Sequence, residues 1–310
     1  TDDGDLRVDY GFVDYSFLSD ADNLWGIRLG RTMNPLGLYN DTRDVAFTRS
    51  SILLPQSIYF DRTRNLAISS DSISLYGERR TQGGDFFIQL VAGLPRVDDA
   101  SVERAIFGGN DLPGDLEAEP SFLGRIIYEI DGGLLRFALS GARVNADYDP
   151  SRTADLFRSG SWQFTPVIFS AQYNAERWSL TGEFALRHLR YKDFGPALPD
   201  TDFIGESYYL QATYRFHPQW EGLLRYDVFF VDRDDRSGKE FAALTGGPAH
   251  SRFAKDLTVG LSWDVTQSFM LRAEFHHING TGWITLEDNP SNDTLDQHWN
   301  MFLFLASYRF

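Results

Sequence analysis

The residues with the most chemistry to offer in this 310-residue chain are its arginines and carboxylates, and they recur at a regular spacing. Glu183 and Arg187, then Glu221, Arg225 and Asp227, then Arg272 and Glu274 stand two or four positions apart. Side chains at that spacing share one face of an extended strand. Arg28, Arg125, Arg136 and Arg215, with Glu78, Glu129 and Asp264, fall at equivalent positions of similar segments. As a set they could line a water-filled passage and sort solutes by charge. Taken singly, each arginine–carboxylate pair reads as a brace within the wall. Of the 29 basic residues only Lys192, Lys239 and Lys255 are lysines. The guanidinium fork suits carboxylates and phosphates. Arginine usage near residues 32–64 raises anion preference as a hypothesis, which reversal potentials in a salt gradient test.

Nothing in the sequence spells a catalytic centre. The six histidines are His188, His217, His250, His276, His277 and His298, and neither G-x-S-x-G nor H-E-x-x-H occurs. His276 and His277 are adjacent, so on a strand they face opposite sides. The acidic groups Asp98–Asp99, Asp232, Asp234–Asp235, and Asp288, Asn289, Asn292 and Asp293 could offer oxygen ligands to a hard cation. None has the spacing of a calcium loop, and they read as solvated loop charges. No metal site, cofactor or catalytic residue is assigned. With no cysteine, disulfide frameworks and thiolate chemistry are ruled out. A net charge of −15 argues against a general nucleic-acid binder, which needs a basic face.

The elements that must carry these residues are strands. Trp178, Leu180, Gly182, Phe184 and Leu186 alternate with Ser179, Thr181, Glu183, Ala185 and Arg187. The segments around Tyr208–Phe216, Trp220–Val228 and Leu257–Val265 repeat that alternation. The pattern predicts about thirteen strands, near 6–18, 24–32, 66–79, 85–94, 121–129, 134–146, 164–174, 178–190, 206–216, 220–231, 255–265, 269–279 and 298–310. No apolar run approaches the ~18 residues of a transmembrane helix, while strands of about 9–11 residues suffice to cross a bilayer. Short, turn-forming separators (Ser19–Asn23, Thr81–Gly84, Ile130–Gly133, Asn174–Arg177, His217–Gln219, Thr266–Ser268) alternate strictly with long ones near 32–64, 95–120, 147–163, 191–205, 232–254 and 280–297. Aromatics crowd the short turns: Trp178, Phe216, Trp220, Trp263 and Phe269. The whole reads as one all-β domain over 1–310, a transmembrane antiparallel up-and-down β-barrel.

The last twelve residues, Trp299–Phe310, place Phe302, Phe304, Ala306, Tyr308 and Phe310 on one face. This segment resembles the closing strand of Gram-negative outer-membrane β-barrels. The stretch from Gly30 to Asp44 is similar to segments of porin-like proteins of proteobacteria. The resemblance implies an outer-membrane location, with Phe302, Phe304, Tyr308 and Phe310 as the signal read by the barrel-assembly machinery. It implies contact with outer-membrane lipid and lipopolysaccharide, small hydrophilic solutes as cargo, and a homotrimer as in many porins. Porin-like barrels carry an even strand number with both ends periplasmic. A count of thirteen therefore leads us to expect an intact barrel of fourteen or sixteen strands, with Thr1–Asp5 ending an external loop.

The resemblance also bears on the longest connection, which carries the apolar stretch Ser51–Phe60. A loop of that size and composition packs on something. By likeness to porins it folds into the pore as a constriction, with Arg43, Arg49, Arg62 and Arg64 set against Asp41, Asp44 and Asp61. The function expected is passive diffusion through a charge-lined channel. The alternatives are a selective anion or oligosaccharide channel, a barrel acting as a sleeve for a partner protein, and, less favoured, an outer-membrane hydrolase. The inward aromatics a saccharide track would use, Tyr76, Phe87, Tyr209 and Phe229, are few.

Overall fold

A computed structural model describes residues 8–97, 99–108, 114–150, 158–196, 198–284, 289 and 294–310. Among these residues thirteen strands run in chain order: β1 Gly11–Ser19, β2 Asn23–Met33, β3 Ser69–Thr81, β4 Gly84–Pro95, β5 Gly114–Ile130, β6 Leu135–Pro150, β7 Gly160–Asn174, β8 Trp178–Lys192, β9 Thr201–His217, β10 Trp220–Phe230, β11 Phe253–Asp264, β12 Phe269–Asn279 and β13 His298–Tyr308. Each strand pairs antiparallel with its sequence neighbour, giving a single meandering sheet. Three short helices decorate the long connections: α1 Arg64–Ile68, α2 Ala100–Ile106 and α3 Lys239–Thr245. All the short turns fall at one end of the sheet, as the sequence places them. The turn after β5 shows why its composition is fixed: Asp131, Gly132 and Gly133 all have positive φ, which glycine adopts without steric cost. Residues Thr1–Asp5 lie outside the described residues.

The alternation in sequence becomes two chemically distinct faces. Leu210, Tyr214, Leu224, Tyr226, Leu257, Val259 and Leu261 are exposed, while Gln211, Thr213, Arg225, Asp227, Thr258 and Ser262 between them are buried. This inverts the burial of a water-soluble sheet, and it is the arrangement a bilayer-facing wall requires. Phe304 on β13 is 80% exposed, with Phe302, Tyr308 and Phe310 exposed beside it. Aromatic pairs sit by the short turns: Trp220 stacks on Trp263 at 5.1 Å between ring centroids, Tyr173 meets Trp178 at 4.9 Å, and Phe86 stacks on Tyr128 at 4.6 Å.

Several strands run further toward the long connections than the alternation suggests. β5 begins at Gly114 rather than 121, β6 ends at Pro150 rather than 146, β7 begins at Gly160 rather than 164, and β9 at Thr201 rather than 206. The physical reason is a switch of polarity along the strand. On β6, Phe137 and Leu139 are exposed, but beyond Gly141 the outward residues are Arg143, Asp147 and Asp149, while Val144, Ala146 and Tyr148 turn inward and are buried. Those inward residues join Leu66, Val102, Ile106, Phe107, Leu116, Trp162 and Phe194 in an apolar core. The strand ends thus pack as a soluble sheet would, and their Asp, Gly and Pro content reads as loop. Pro120 lies at a register shift between Glu119 and Phe122, where a missing amide is tolerated.

Candidate functional site

The connection between β2 and β3, residues 34–68, lies against the buried face of the sheet and is held there by wall side chains. Its first half is pinned by Glu183 of β8, which is 3% exposed. That carboxylate accepts hydrogen bonds from the Tyr59 hydroxyl at 2.6 Å, the Ser170 hydroxyl at 2.6 Å, the Tyr209 hydroxyl at 2.9 Å and the Leu38 amide at 3.0 Å. Four donors on one carboxylate are what make a buried negative charge tolerable. The Tyr59 oxygen in turn accepts from the amides of Leu38 at 2.8 Å and Tyr39 at 3.0 Å. Ser140 on β6 accepts from the Gly37 amide at 2.8 Å, and Arg125 on β5 donates to the Gly37 carbonyl at 2.9 Å and to Asp41 at 2.7 Å. Burial, and then the Glu183 carboxylate, push the Tyr59 hydroxyl well above the usual tyrosine range; burial likewise raises Tyr39.

The second half is held by two later strands. Arg225 of β10 is fully buried and donates to the Leu53 carbonyl at 2.9 Å, and Glu274 of β12 accepts from the amides of Ile52 at 2.7 Å and Leu53 at 3.2 Å. Leu53 is therefore gripped at its amide and its carbonyl by charges on different strands. Arg272 donates to the carbonyls of Ala46 at 3.0 Å and Ser51 at 3.3 Å, and Asp227 accepts from the Ser57 amide at 3.3 Å. His276 sits between Asp256 at 2.8 Å and Glu274 at 3.4 Å, behind these contacts.

Within the connection Asp61 and Asp44 pair with the loop's own arginines. Arg43 is buried, bonded to Asp61 at 2.9 Å and to the Tyr59 carbonyl at 3.2 Å. Burial draws its guanidinium below the usual arginine range, against the pull of Asp61. Arg64 bonds Asp44 at 2.6 Å and Asp9 at 3.0 Å. Arg62 donates to the Ala105 carbonyl of α2 at 3.2 Å. Arg49 keeps a buried Nε without a hydrogen-bond partner among the described residues.

The remaining wall residues are not gathered at this loop. Arg28 lies on the buried face of β2 with Asp14 at 2.8 Å and over the Tyr76 ring at 4.3 Å. Arg136 bonds Gln172 at 3.2 Å and pairs with Glu129, Arg215 meets Glu221 at 3.2 Å near the short turn, and Glu78 meets Arg80 at 2.8 Å. Of the four inward aromatics, Tyr209, Phe229 and Phe87 reach the loop, Phe87 in the cluster around Leu38, and Tyr76 stays with Arg28. Tyr39, Tyr59, Ser140, Ser170 and Asp256 were not singled out in the sequence. Tyr59 falls within the apolar stretch Ser51–Phe60, the one signal that could have found it. Among the described residues no group of three or more His, Asp or Glu side chains could hold a metal ion, and Asp98, Asp288, Asn292 and Asp293 lie outside those residues.

No family model and no curated protein sequence matches the chain. Solved structures do. An anion-selective porin from Comamonas acidovorans matches at 17% identity with a TM-score of 0.52, over 82% of this chain and 64% of that one. The fold is that of an outer-membrane porin. The outer-membrane channel DcaP of Acinetobacter baumannii matches over 96% of this chain and 83% of its own, at 8% identity and a TM-score of 0.54. Outer-membrane-expressed OmpT of Vibrio cholerae matches over 93% and 79%, at 10% identity and 0.56. This chain thus spans 64% of the length of the Comamonas porin. Residues 34–68 lie on the face of the sheet opposite the exposed apolar face of β9–β13.

Proposed function

We propose that this chain is an outer-membrane channel for passive diffusion of small hydrophilic solutes, with residues 34–68 folded into the pore as its constriction. The observation that carries the reading is the set of wall charges that bond the loop from the buried face. Arg125, Glu183, Arg225, Asp227, Arg272 and Glu274 all spend hydrogen bonds on it. A polar lumen accommodates such charges, whereas an arginine at the lipid midplane costs about 2–4 kcal/mol. The wall charges act chiefly as anchors for the constriction, and the electrostatic filter is what they leave over. Asp41, Asp44 and Asp61 are each paired with an arginine, whereas Arg49 and Arg187 make no ion pair within 4 Å among the described residues. The unpaired Arg49 within the connection supports anion preference.

Catalysis has no part in this reading: His276 is fully buried and bonded to Asp256, Thr258 and Glu274 behind the contacts that hold the loop. The exposed aromatics Phe302, Phe304, Tyr308 and Phe310 serve as the face that the assembly machinery and then lipid receive. Planar-bilayer recording of the purified, folded protein tests the proposal. Steady ion current with a reversal potential set by the anion gradient is expected. A correctly folded protein that passes no current overturns the channel, and cation preference overturns the charge assignment.

A further inference from the structure

Between the loop and the wall, toward the long-connection end, lies a cavity of about 390 Å³. Its walls are mostly apolar and aromatic, with Phe60, Trp162 and Phe229 among them, yet three arginines, Arg62, Arg187 and Arg252, also face it. Its described lining contains no aspartate or glutamate. Within the described lining, cations thus meet an apolar wall and no carboxylate.

Arg187 shows what is missing. Its side chain is 8% exposed, its Nη2 donates to the Phe230 carbonyl at 2.8 Å, and its guanidinium lies 4.3 Å from the Phe229 ring centroid and 5.1 Å from that of Phe60. Those contacts fix the plane of the fork. Its Nε is nevertheless buried without a hydrogen-bond partner among the described residues. Arg187 makes no ion pair among the described residues, so the cavity that it lines favours an acceptor with negative charge. Arg252 is half-buried on the same cavity with its guanidinium 4.5 Å from the Phe241 ring centroid, so a second cation is held in place by an aromatic ring.

From these features we infer that the cavity is a binding site for a small aromatic carboxylate. The carboxylate meets Arg187, with Arg62 and Arg252 raising the local positive potential, and the ring lies among Phe60, Trp162 and Phe229. The volume lies within the roughly 300–1,000 Å³ of small-molecule sites. An uncharged hydrocarbon leaves the Arg187 donor unmatched. A sugar needs acceptors as well as donors, and guanidinium groups supply only donors. Inorganic anions gain nothing from the aromatic wall. The inference rests on the channel reading in one respect, that the bound anion is cargo on its way to the constriction.

The test separates the two. Benzoate is titrated into the folded wild-type protein in detergent and followed by calorimetry, which needs no ion current; acetate and benzyl alcohol supply the charge and the ring alone. Benzoate is expected to bind at least about tenfold more tightly than either. Arg187→Gln is expected to weaken benzoate by roughly tenfold or more while leaving the weak binding of benzyl alcohol in place. Far-ultraviolet circular dichroism and heat-modifiable gel mobility establish that the variant is folded. If Arg187→Gln fails to fold, the wild-type comparison with Arg252→Gln decides alone. Benzoate binding no better than acetate overturns the site, whatever the bilayer shows. Tight benzoate binding to a protein that passes no current upholds the site and overturns only the channel.

Discussion

Tyr59→Phe is the substitution that most directly asks whether the wall grips the loop. It removes one oxygen and leaves the ring. That oxygen donates to Glu183 at 2.6 Å and accepts from the amides of Leu38 at 2.8 Å and Tyr39 at 3.0 Å. Losing a hydrogen bond to a charged acceptor costs about 1.5–3 kcal/mol, and leaving the Tyr39 amide buried and unpaired costs about 1–3 kcal/mol. Leu38 keeps Glu183 as an acceptor at 3.0 Å, and Glu183 keeps Ser170 and Tyr209, so those terms drop out. The sum is about 2.5–6 kcal/mol, all of it borne by the loop's first half. Amide hydrogen exchange, which reports local opening, is the assay. Exchange at Leu38 and Tyr39 is expected to accelerate by at least roughly fiftyfold, since each ~1.4 kcal/mol is a factor of ten. Ile52 and Leu53, gripped by Glu274 and Arg225, are expected to exchange as before. In bilayers the same variant gives noisier open-channel current with a larger mean conductance. Unchanged protection at Leu38 and Tyr39, or equal acceleration at Ile52 and Leu53, refutes the idea of two separately anchored halves.

Other consequences can be checked as directly. Glu274→Gln weakens the grip on Ile52 and Leu53 by roughly 1–3 kcal/mol and accelerates exchange there while sparing Leu38, the mirror image of the tyrosine variant. Leu224→Arg, on the exposed face of β10, is expected to lower folding stability in lipid vesicles by about 2–4 kcal/mol, whereas the same change at Thr213 on the buried face is governed by packing and by the polar lumen. Deleting Phe310 is expected to reduce recovery of the folded protein from cells without impairing refolding in detergent, because Phe310 is fully exposed. In alkaline titration Tyr39 and Tyr59 are expected to ionise after the exposed tyrosines. Their folded values are raised by burial, with Glu183 adding to the effect at Tyr59, so their contribution is complete below the unfolded value of about 10 and is lost as pH rises through the higher folded value.

Most of the fold was legible because bilayer-facing strands have the simplest pattern a chain can carry. Trp178–Arg187 and Leu257–Val265 alternate apolar and polar residues, and the structure turns every member of those runs to the expected face. The extensions of β5, β6, β7 and β9 were not legible, because there the polar residues face out and the apolar ones in. A reading tuned to one polarity sees Asp147–Pro150 as loop. The charged residues Glu183, Arg225 and Glu274 were visible as a set, but their partners were not. Their partners are backbone amides and carbonyls of residues 38–57, and any sequence supplies those. Arg187 was visible as a charge, but its unpaired Nε and its place between Phe60 and Phe229 exist only once residues 60 and 229 are brought together.

The polarity switch on β6 also sets how this wall meets its solvent sideways. Outward apolar residues on β6 run from Leu135 to Gly141, about 20 Å of strand, whereas on β9 they run from Tyr208 to Phe216, about 27 Å. The protein therefore presents a belt of unequal height, shorter on the flank of β5–β7. Lipid chains there must shorten or tilt to avoid Arg143, Asp147 and Asp149, at fractions of a kcal/mol per Å. Such a flank makes the surrounding membrane thin on one side, and two proteins that meet flank to flank share one thinned patch instead of two. Weak lateral attraction along β5–β7 is the elastic consequence expected in a bilayer.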